Sequence, residues 1–297
     1  MQKIIAPIVI VSLIHFPAIA DELPKDRSQT FEQQIKKVRA ESQGSPDVEA
    51  KIVRLKEQYP RKKIGNPKWQ RSGHQYTSFI ISVLAGRSLE QSHKLAYYSQ
   101  LPDDEIYFSA TMAFFYLWNI EYRKEIMATL HSLHGGDLVA VERRRNVLKN
   151  LISDGIDNEV YEDYELGLMI HAFGDAYSHV KEEDGEVSAF SYTWGHLFHG
   201  HKPDIIFYDP PKYREYACAL FQSLKRSGIC NSELGDLYDM IGNLSSSPDK
   251  ELAAFEKYAI ALGFDADYYK AKSDAWSKLV GKNEVKSVVE VIESHLN

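Results

Sequence analysis

The chain has 297 residues, of which 44% are hydrophobic and 26% charged, a composition typical of a globular protein with one large domain or two small ones. Its formal net charge of -7 excludes an overall electrostatic attraction for nucleic acid or anionic lipid, although it is compatible with a local basic groove. The two cysteines, Cys218 and Cys230, cannot build a thiolate zinc site, but in an oxidising compartment they could form a disulfide.

The first twenty residues have the pattern of a secretory signal peptide. Lys3 precedes an apolar run that starts at Ile4, and Ala18-Ile19-Ala20 supplies a small-residue cleavage site. The run is too short to span a bilayer comfortably, so we expect a periplasmic or secreted protein, with an uncleaved anchor as the alternative. No other apolar stretch of the sequence is long enough for a transmembrane span.

Residues 21–70 predict an N-terminal extension of the main domain. Two charge-rich segments, 31–41 and 47–59, could be helical and are separated by Gly44-Ser45-Pro46. We expect residues 71–297 to form a single helical metal-binding domain.

The first helices of this domain are predicted from their spacing and caps. Residues 73–84 have helical spacing, and Ser88 begins a capping box for a second helix, which we expect to end before Pro102. Asp103 and Asp104 would then lie in a turn. Residues 106–126 fit a helix or a strand equally well.

The rest of the chain also favours helices. One is predicted over residues 137–152 with a stop at Gly155, and the next from Asp157 or Asn158 to about Val180. Later helices are predicted at residues 211–227, 233–241, 250–262, 266–279 and 284–295, the first of them opened by Pro211. Because no alternating pattern is strong enough to propose a sheet, the predicted fold class is all-α.

His171, Asp175 and His179 are spaced four residues apart on one predicted helix. Such positions differ by only about 40°, so their side chains share one face. Two imidazoles and a carboxylate are ligand types that zinc prefers. Gly174 lies among them at a cost of about 1 kcal/mol relative to Ala, which indicates close approach of another backbone or a ligand. The alternative is two satisfied, partly buried histidines and an ordinary surface acid.

Further candidates lie on either side of this helix. The loop after it carries His196, His201 and Asp204 beside glycines that allow a tight return; His196 is predicted as a ligand and the other two as outer contacts. Upstream, His74 could equally be a core residue, and Asp103 and Asp104 could simply cap a helix. We interpret His131 and His134, next to Gly135-Gly136, as ordinary histidines near a helix end, although a loop could bring them to the site.

The order of these segments resembles a bacterial family of uncharacterised proteins. The shared pattern is a His that opens the first helix, an Ala-Tyr-x-Ser-Gln-x-x-Asp-Asp segment, and a His-x-x-x-Asp-x-x-x-His helix followed by a Gly-His loop. In this chain the pattern corresponds to His74, Ala96 to Asp104, His171, Asp175, His179 and His196.

More distantly, the pattern resembles the helical zinc-dependent phospholipase C and S1/P1 nuclease superfamily, whose zinc cluster hydrolyses phosphate esters. The resemblance implies a similar helical fold, zinc as the cofactor, and six metal ligands: His74, Asp103, His171, Asp175, His179 and His196. Because His179 follows Asp175 unusually soon and no late His-x-x-x-Glu pair is evident, we expect one or two ions rather than three. Manganese and iron also suit mixed imidazole and carboxylate ligands.

The sequence therefore predicts an exported metal-dependent hydrolase of phosphoesters, of phospholipid or nucleic-acid type, that uses a metal-activated water. Asp104 is the predicted catalytic residue, as a proton acceptor or as an outer partner of a ligand imidazole. A small-molecule or lipid phosphoester is the expected partner, since there is no strong nucleic-acid signature. Two alternatives stay open: a non-catalytic, metal-stabilised helical binding protein of the cell envelope, and a metal-free protein whose histidines serve packing.

Overall fold

The computed structural model describes residues 71–105, 107–110, 120–183, 186–191, 205–225, 228–244 and 247–296. The expected signal peptide and the extension at 21–70 lie outside these residues. The described part is predominantly helical, which confirms the predicted fold class. Among the described helices, none combines the length and the apolar character that crossing a membrane requires.

The described secondary structure follows a simple order. The helices are α1 (Thr77–Leu84), α2 (Leu89–Asp104), α3 (Ile120–Glu125), α4 (Leu138–Asn158), α5 (Asp163–Ser178), α6 (Pro210–Leu224), α7 (Cys230–Glu233), α8 (Gly235–Gly242), α9 (Pro248–Ala261), α10 (Ala266–Ser277) and α11 (Lys282–Leu296). A π-helical turn, Ser72–Tyr76, leads directly into α1, and a second one, Ile126–Leu130, follows α3. A 3-10 turn, Ile206–Tyr208, precedes α6.

Side-chain caps explain where several helices begin. The Ser88 hydroxyl accepts a hydrogen bond from the Gln91 N–H at 3.2 Å at the start of α2, as predicted. Asp209 accepts one from the Lys212 N–H at 3.2 Å at the start of α6, where Pro210 needs no hydrogen-bond acceptor. These caps satisfy N–H groups that the helix itself leaves without partners.

Helix α5 runs through the middle of the fold. It packs most extensively against α2, and also against α4, α6 and α11. A Cβ atom on Gly167 would lie 2.3 Å from the Cβ of Tyr98, so only glycine permits this close approach of α5 to α2. Because neighbours surround α5, Leu168, Phe173 and the polar His171 are completely buried.

Several predicted helix boundaries are wrong. Helix α2 continues through Pro102 to Asp104, because the Glu105 N–H still reaches the Leu101 carbonyl at 2.9 Å and completes the last turn. Helix α4 continues past Gly155, which is a packing glycine whose Cβ would lie 2.5 Å from the Tyr161 ring.

Both boundaries of α5 also differ from the prediction, which began this helix at Asp157 or Asn158. It begins instead at Asp163, because Glu162 and Glu165 form a reciprocal capping box. It ends at Ser178, two residues before the predicted end at Val180.

The fold also contains a short hairpin that the sequence pattern did not reveal. Strands β1 (Val180–Glu183) and β2 (Glu186–Ala189) pair antiparallel with Val180 opposite Ala189. Four residues per strand are too few for a clear alternation. The predicted helix at 233–241 is divided into α7 and α8, and a disulfide joins Cys218 of α6 to Cys230 of α7.

Candidate metal centre

Five side chains of the types that can ligate a metal converge from four separate segments of the chain. They are His74 from the first π-helical turn, Asp103 from the last turn of α2, His131 from the loop after the second π-helical turn, and His171 and Asp175 from α5. We call these five residues the His/Asp cluster. His131, His171 and Asp175 are at most 2% exposed, whereas the side chains of His74 and Asp103 are 11% and 9% exposed.

Asp175 lies at the centre of the cluster and contacts three imidazoles. Its Oδ2 atom lies 3.1 Å from His131 Nδ1 and 3.2 Å from His171 Nε2, and these two nitrogens are 3.1 Å apart. Its Oδ1 atom lies 3.2 Å from His74 Nε2, which is 3.8 Å from Asp103 Oδ2. The cluster thus consists of two parts. The first is a triangle of three atoms, His131 Nδ1, His171 Nε2 and Asp175 Oδ2, and the second is the adjacent pair of residues His74 and Asp103.

Hydrogen bonds to the backbone define which imidazole nitrogens carry protons. His171 Nδ1 lies 2.8 Å from the Ser99 carbonyl oxygen, and His131 Nε2 lies 2.7 Å from the Phe108 carbonyl oxygen. Since a carbonyl oxygen only accepts, each of these nitrogens donates a proton. In a neutral ring the other nitrogen then presents a lone pair. Metal-binding histidines commonly have such an outer hydrogen bond to a carbonyl oxygen.

Comparisons with protein-family models, curated proteins and solved structures find no match for this chain. What the cluster can bind therefore follows from its own atoms. His131 Nδ1, His171 Nε2 and Asp175 Oδ2 are three acceptors within 3.2 Å of one another, and they need a proton or a cation between them. A tetrahedral ion with nitrogen and oxygen ligands at about 2.0–2.1 Å separates those ligands by about 3.3 Å, so the triangle fits such an ion.

The electrostatic environment favours the ligand forms of these groups. Burial lowers the pKa of His171 to about 3, and the neighbouring His74 acts in the same direction, so this ring is neutral at pH 7. Burial alone would raise the pKa of Asp175, but the neighbouring imidazoles, His179 and His171 foremost, lower it well below its usual range. Metal binding requires a neutral imidazole and an ionised carboxylate, and the cluster provides both.

The adjacent pair has a different character. Burial raises the pKa of Asp103 to about 7, against the opposing influence of His74. Burial would lower the pKa of His74, but the hydrogen bond and the charge of Asp175 raise it overall. The pair therefore combines a carboxyl group whose pKa is raised to about 7 with an imidazole whose pKa is also raised.

His131 is the cluster residue that the sequence interpretation missed, because we interpreted it as an ordinary histidine near a helix end. The second π-helical turn ends just before it, and Ser132 adopts a left-handed conformation with φ of 49°. The Ser132 hydroxyl donates to the Ala172 carbonyl at 2.9 Å, which fastens this loop to α5. The glycines at 135 and 136 were the only sequence signal that a loop near His131 could turn towards the site.

His179 lies at the edge of the cluster, at the C-terminal cap of α5. Its Nδ1 atom donates to the His131 carbonyl at 2.7 Å and is 3.6 Å from Asp175 Oδ2. The nitrogen that lies closest to Asp175 is therefore protonated, and His179 supports the loop that carries His131.

Asp104 lies next to the cluster in sequence, but its side chain is exposed at the end of α2. The Gln100 amide donates to its Oδ1 at 3.4 Å. The predicted residues His196, His201 and Asp204 lie outside the described residues. Of the predicted ligands, the structure therefore brings together His74, Asp103, His171 and Asp175.

Gly174 has the close neighbour that its mid-helix position indicated, and the neighbour is a side chain. A Cβ atom at Gly174 would lie 3.2 Å from His74 Cε1 and 3.2 Å from the Tyr216 hydroxyl oxygen. The rings of His74 and His171 also contact each other, with centroids 4.2 Å apart and planes tilted by 30°. Gly174 thus makes room for His74 beside α5.

Proposed function

We propose that the protein is an exported, metal-dependent hydrolase that binds zinc through His131, His171 and Asp175. The observation that carries the proposal is the triangle of three acceptor atoms, each within 3.2 Å of the others. Both cysteines are in the disulfide, so the donor set is nitrogen and oxygen, which suits zinc, manganese or iron. Zinc held by these residues would act as a Lewis acid on a phosphoryl oxygen and would lower the pKa of a water molecule enough for attack at neutral pH.

Within this proposal, His74 and Asp103 form the side of the cluster where the reaction occurs. Their side chains are the most exposed of the five, and they face the second oxygen of Asp175. In this role Asp103 accepts a proton from the attacking water, and His74 orients the Asp175 carboxylate or adds a ligand. Asp104, the base predicted from the sequence, is the alternative proton acceptor from its exposed position.

Phosphoesters are the proposed substrates because of the resemblance of the motif order to the zinc-dependent phospholipase C and S1/P1 nuclease superfamily. Export is proposed from the signal-peptide pattern, and the disulfide between Cys218 and Cys230 supports it, since such bonds persist in oxidising compartments.

A second candidate function is a non-catalytic protein whose metal stabilises the fold. The nearly complete burial of His131, His171 and Asp175 favours it, because structural zinc sites are closed whereas catalytic ones keep an open position. Both functions predict bound metal, and they differ in turnover.

The test measures the metal content of the purified full chain and its turnover of phosphodiester, phospholipid and single-stranded nucleic acid substrates. A hydrolase contains about one zinc per chain and loses turnover on chelation and in Asp175→Asn. The matched control is Asp163→Asn on the same helix, whose side chain pairs with Lys94 at 3.2 Å and should keep both properties. Bound zinc without turnover on any substrate favours the structural role, and a wild-type chain that binds no metal overturns both candidates.

A further inference from the structure

Glu251 is a buried carboxylate outside the His/Asp cluster. It lies near the start of α9 and is completely buried. Its Oε1 atom accepts a hydrogen bond from the Ser72 hydroxyl at 2.6 Å, and its Oε2 atom accepts one from the Phe207 N–H at 3.0 Å. One side chain thus joins α9 to two segments that are far apart in sequence.

The first of these segments carries His74. Ser72 begins the π-helical turn, and its carbonyl oxygen accepts a hydrogen bond from the Thr77 hydroxyl at 2.6 Å. Thr77 in turn shares a 2.7 Å hydrogen bond with the Tyr213 hydroxyl of α6. The turn is therefore held at both ends, by α9 at Ser72 and by α6 at Thr77, with His74 between them.

The second segment is the 3-10 turn Ile206–Tyr208. Ile206 is buried in the core, and the backbone of the turn contacts α6. Phe207 donates to Glu251 from its backbone, so this contact does not depend on the phenylalanine side chain. Glu251 therefore fixes the π-helical turn relative to the chain that enters α6.

Burying a carboxylate at such a position is energetically unfavourable. A buried carboxylate costs free energy unless hydrogen bonds compensate it, and burial raises the pKa of Glu251. An apolar side chain of similar volume would fill the space at lower cost. A carboxylate has one property that an apolar side chain lacks, namely two oxygens that each accept a hydrogen bond from a different segment.

We propose that Glu251 is a positioning residue for the metal centre, because it holds Ser72 and so places His74 beside Asp175. This inference rests on the proposed metal-binding function. Its consequence is that replacing Glu251 changes metal binding through His74 and not through a general loss of stability. Outer partners that orient a ligand commonly contribute about 10–100-fold to metal affinity.

The test is a double-mutant cycle on the full chain, with zinc affinity measured by competition with a chelator. We expect Glu251→Ala to weaken zinc binding about 10-fold in the wild-type background and by less than about twofold in a His74→Ala background. Glu251→Gln should recover part of the affinity, because its amide can still accept from Phe207 and donate to the Ser72 oxygen. Val288→Ala, a buried truncation on α11, is the control for lowered stability and should keep the wild-type affinity.

Equal losses in both backgrounds would show that Glu251 acts only on general stability and would overturn the inference, as would an unchanged affinity of Glu251→Ala. If Glu251→Ala does not fold, Ser72→Ala takes its place in the cycle, since it removes one of the two hydrogen bonds and keeps the carboxylate. A wild-type chain without zinc affinity defeats the proposed function itself, whereas a wild-type chain that binds zinc with unchanged Glu251 variants defeats this inference alone.

Discussion

Two histidines on neighbouring helices, His93 of α2 and His171 of α5, are equally buried but have opposite surroundings. His93 is 3% exposed and His171 is 0% exposed. His93 Nδ1 donates to the Leu89 carbonyl at 2.7 Å, and its Nε2 accepts from the Asp265 N–H at 3.0 Å. Both nitrogens of this neutral ring are therefore satisfied by the backbone.

In His171, one ring nitrogen forms a hydrogen bond with the backbone and the other faces side chains. Its Nδ1 donates to the Ser99 carbonyl, and its Nε2 faces two other acceptors, Asp175 and His131. The ring of His93 lies among aromatic side chains, with Phe79 at 4.8 Å between centroids, whereas the ring of His171 contacts two other imidazoles. The difference separates the candidate ligand His171 from a packing histidine by what its second nitrogen faces, and not by burial.

The largest expected effect comes from replacing each of these two histidines with alanine. His171→Ala should weaken zinc binding more than about 100-fold, since loss of an outer partner alone costs about 10–100-fold. His93→Ala should keep about one zinc per chain while the free energy of unfolding falls by about 2–4 kcal/mol, because a buried ring is lost. Metal analysis and denaturant unfolding of both variants test the comparison, which fails if His93→Ala releases the metal as completely as His171→Ala does.

A second prediction concerns the pH dependence of the metal-free chain. The pKa of His171 is about 3 in the folded state and about 6.5 when unfolded, so the unfolded state binds the extra proton as the pH falls below about 6.5. As the pH is lowered from about 6.5 to 3, His171 therefore decreases the free energy of unfolding by up to about 1.4 kcal/mol per pH unit. Asp103, whose folded pKa is raised to about 7, acts in the opposite sense, because its protonated form is favoured in the folded state as the pH falls through 7.

The measurement is therefore a difference between two proteins. Chelator-treated wild type and His171→Asn are unfolded in denaturant at several pH values, and the Asp103 contribution, present in both, is subtracted. The difference in free energy of unfolding should shrink as the pH is lowered from 6.5. A difference that stays constant with pH would mean that the folded chain protonates His171 as easily as the unfolded chain.

The sequence predicted the parts of the site that depend on local geometry. His171 and Asp175 share a face because they are four residues apart on one helix, and the structure places both in the cluster. The helical fold was predictable for the same reason, since caps such as Ser88 and helical spacing are local signals. The start of α5 was missed because two glutamates form its capping box, a less common choice than Ser or Thr at the cap.

His131 could not be predicted in this way. Its position depends on a π-helical turn, on the left-handed Ser132, and on the hydrogen bond from Ser132 to α5, none of which has a periodic sequence signal. Glu251 is a similar case, since its partner Ser72 is 179 residues away in sequence. Tertiary contacts of this kind decide which polar residues converge, and spacing along one helix cannot reveal them.

The smallest expected effect on metal binding distinguishes the adjacent residues Asp103 and Asp104. Asp103 faces His74 within the cluster, whereas Asp104 is exposed and contacts Gln100. Asp103→Asn should weaken zinc binding about 10-fold, and Asp104→Asn should leave the affinity within about twofold of wild type, because the Asp104 carboxylate accepts its hydrogen bond from Gln100, outside the cluster. If Asp104 is the proton acceptor, its variant keeps zinc but loses about 100-fold in turnover, the contribution typical of a general base. Equal loss of zinc in both variants would contradict the assignment of Asp103, and not Asp104, to the cluster. It would also contradict the argument that distinguishes His171 from His93, because both arguments identify a ligand by what its side chain faces.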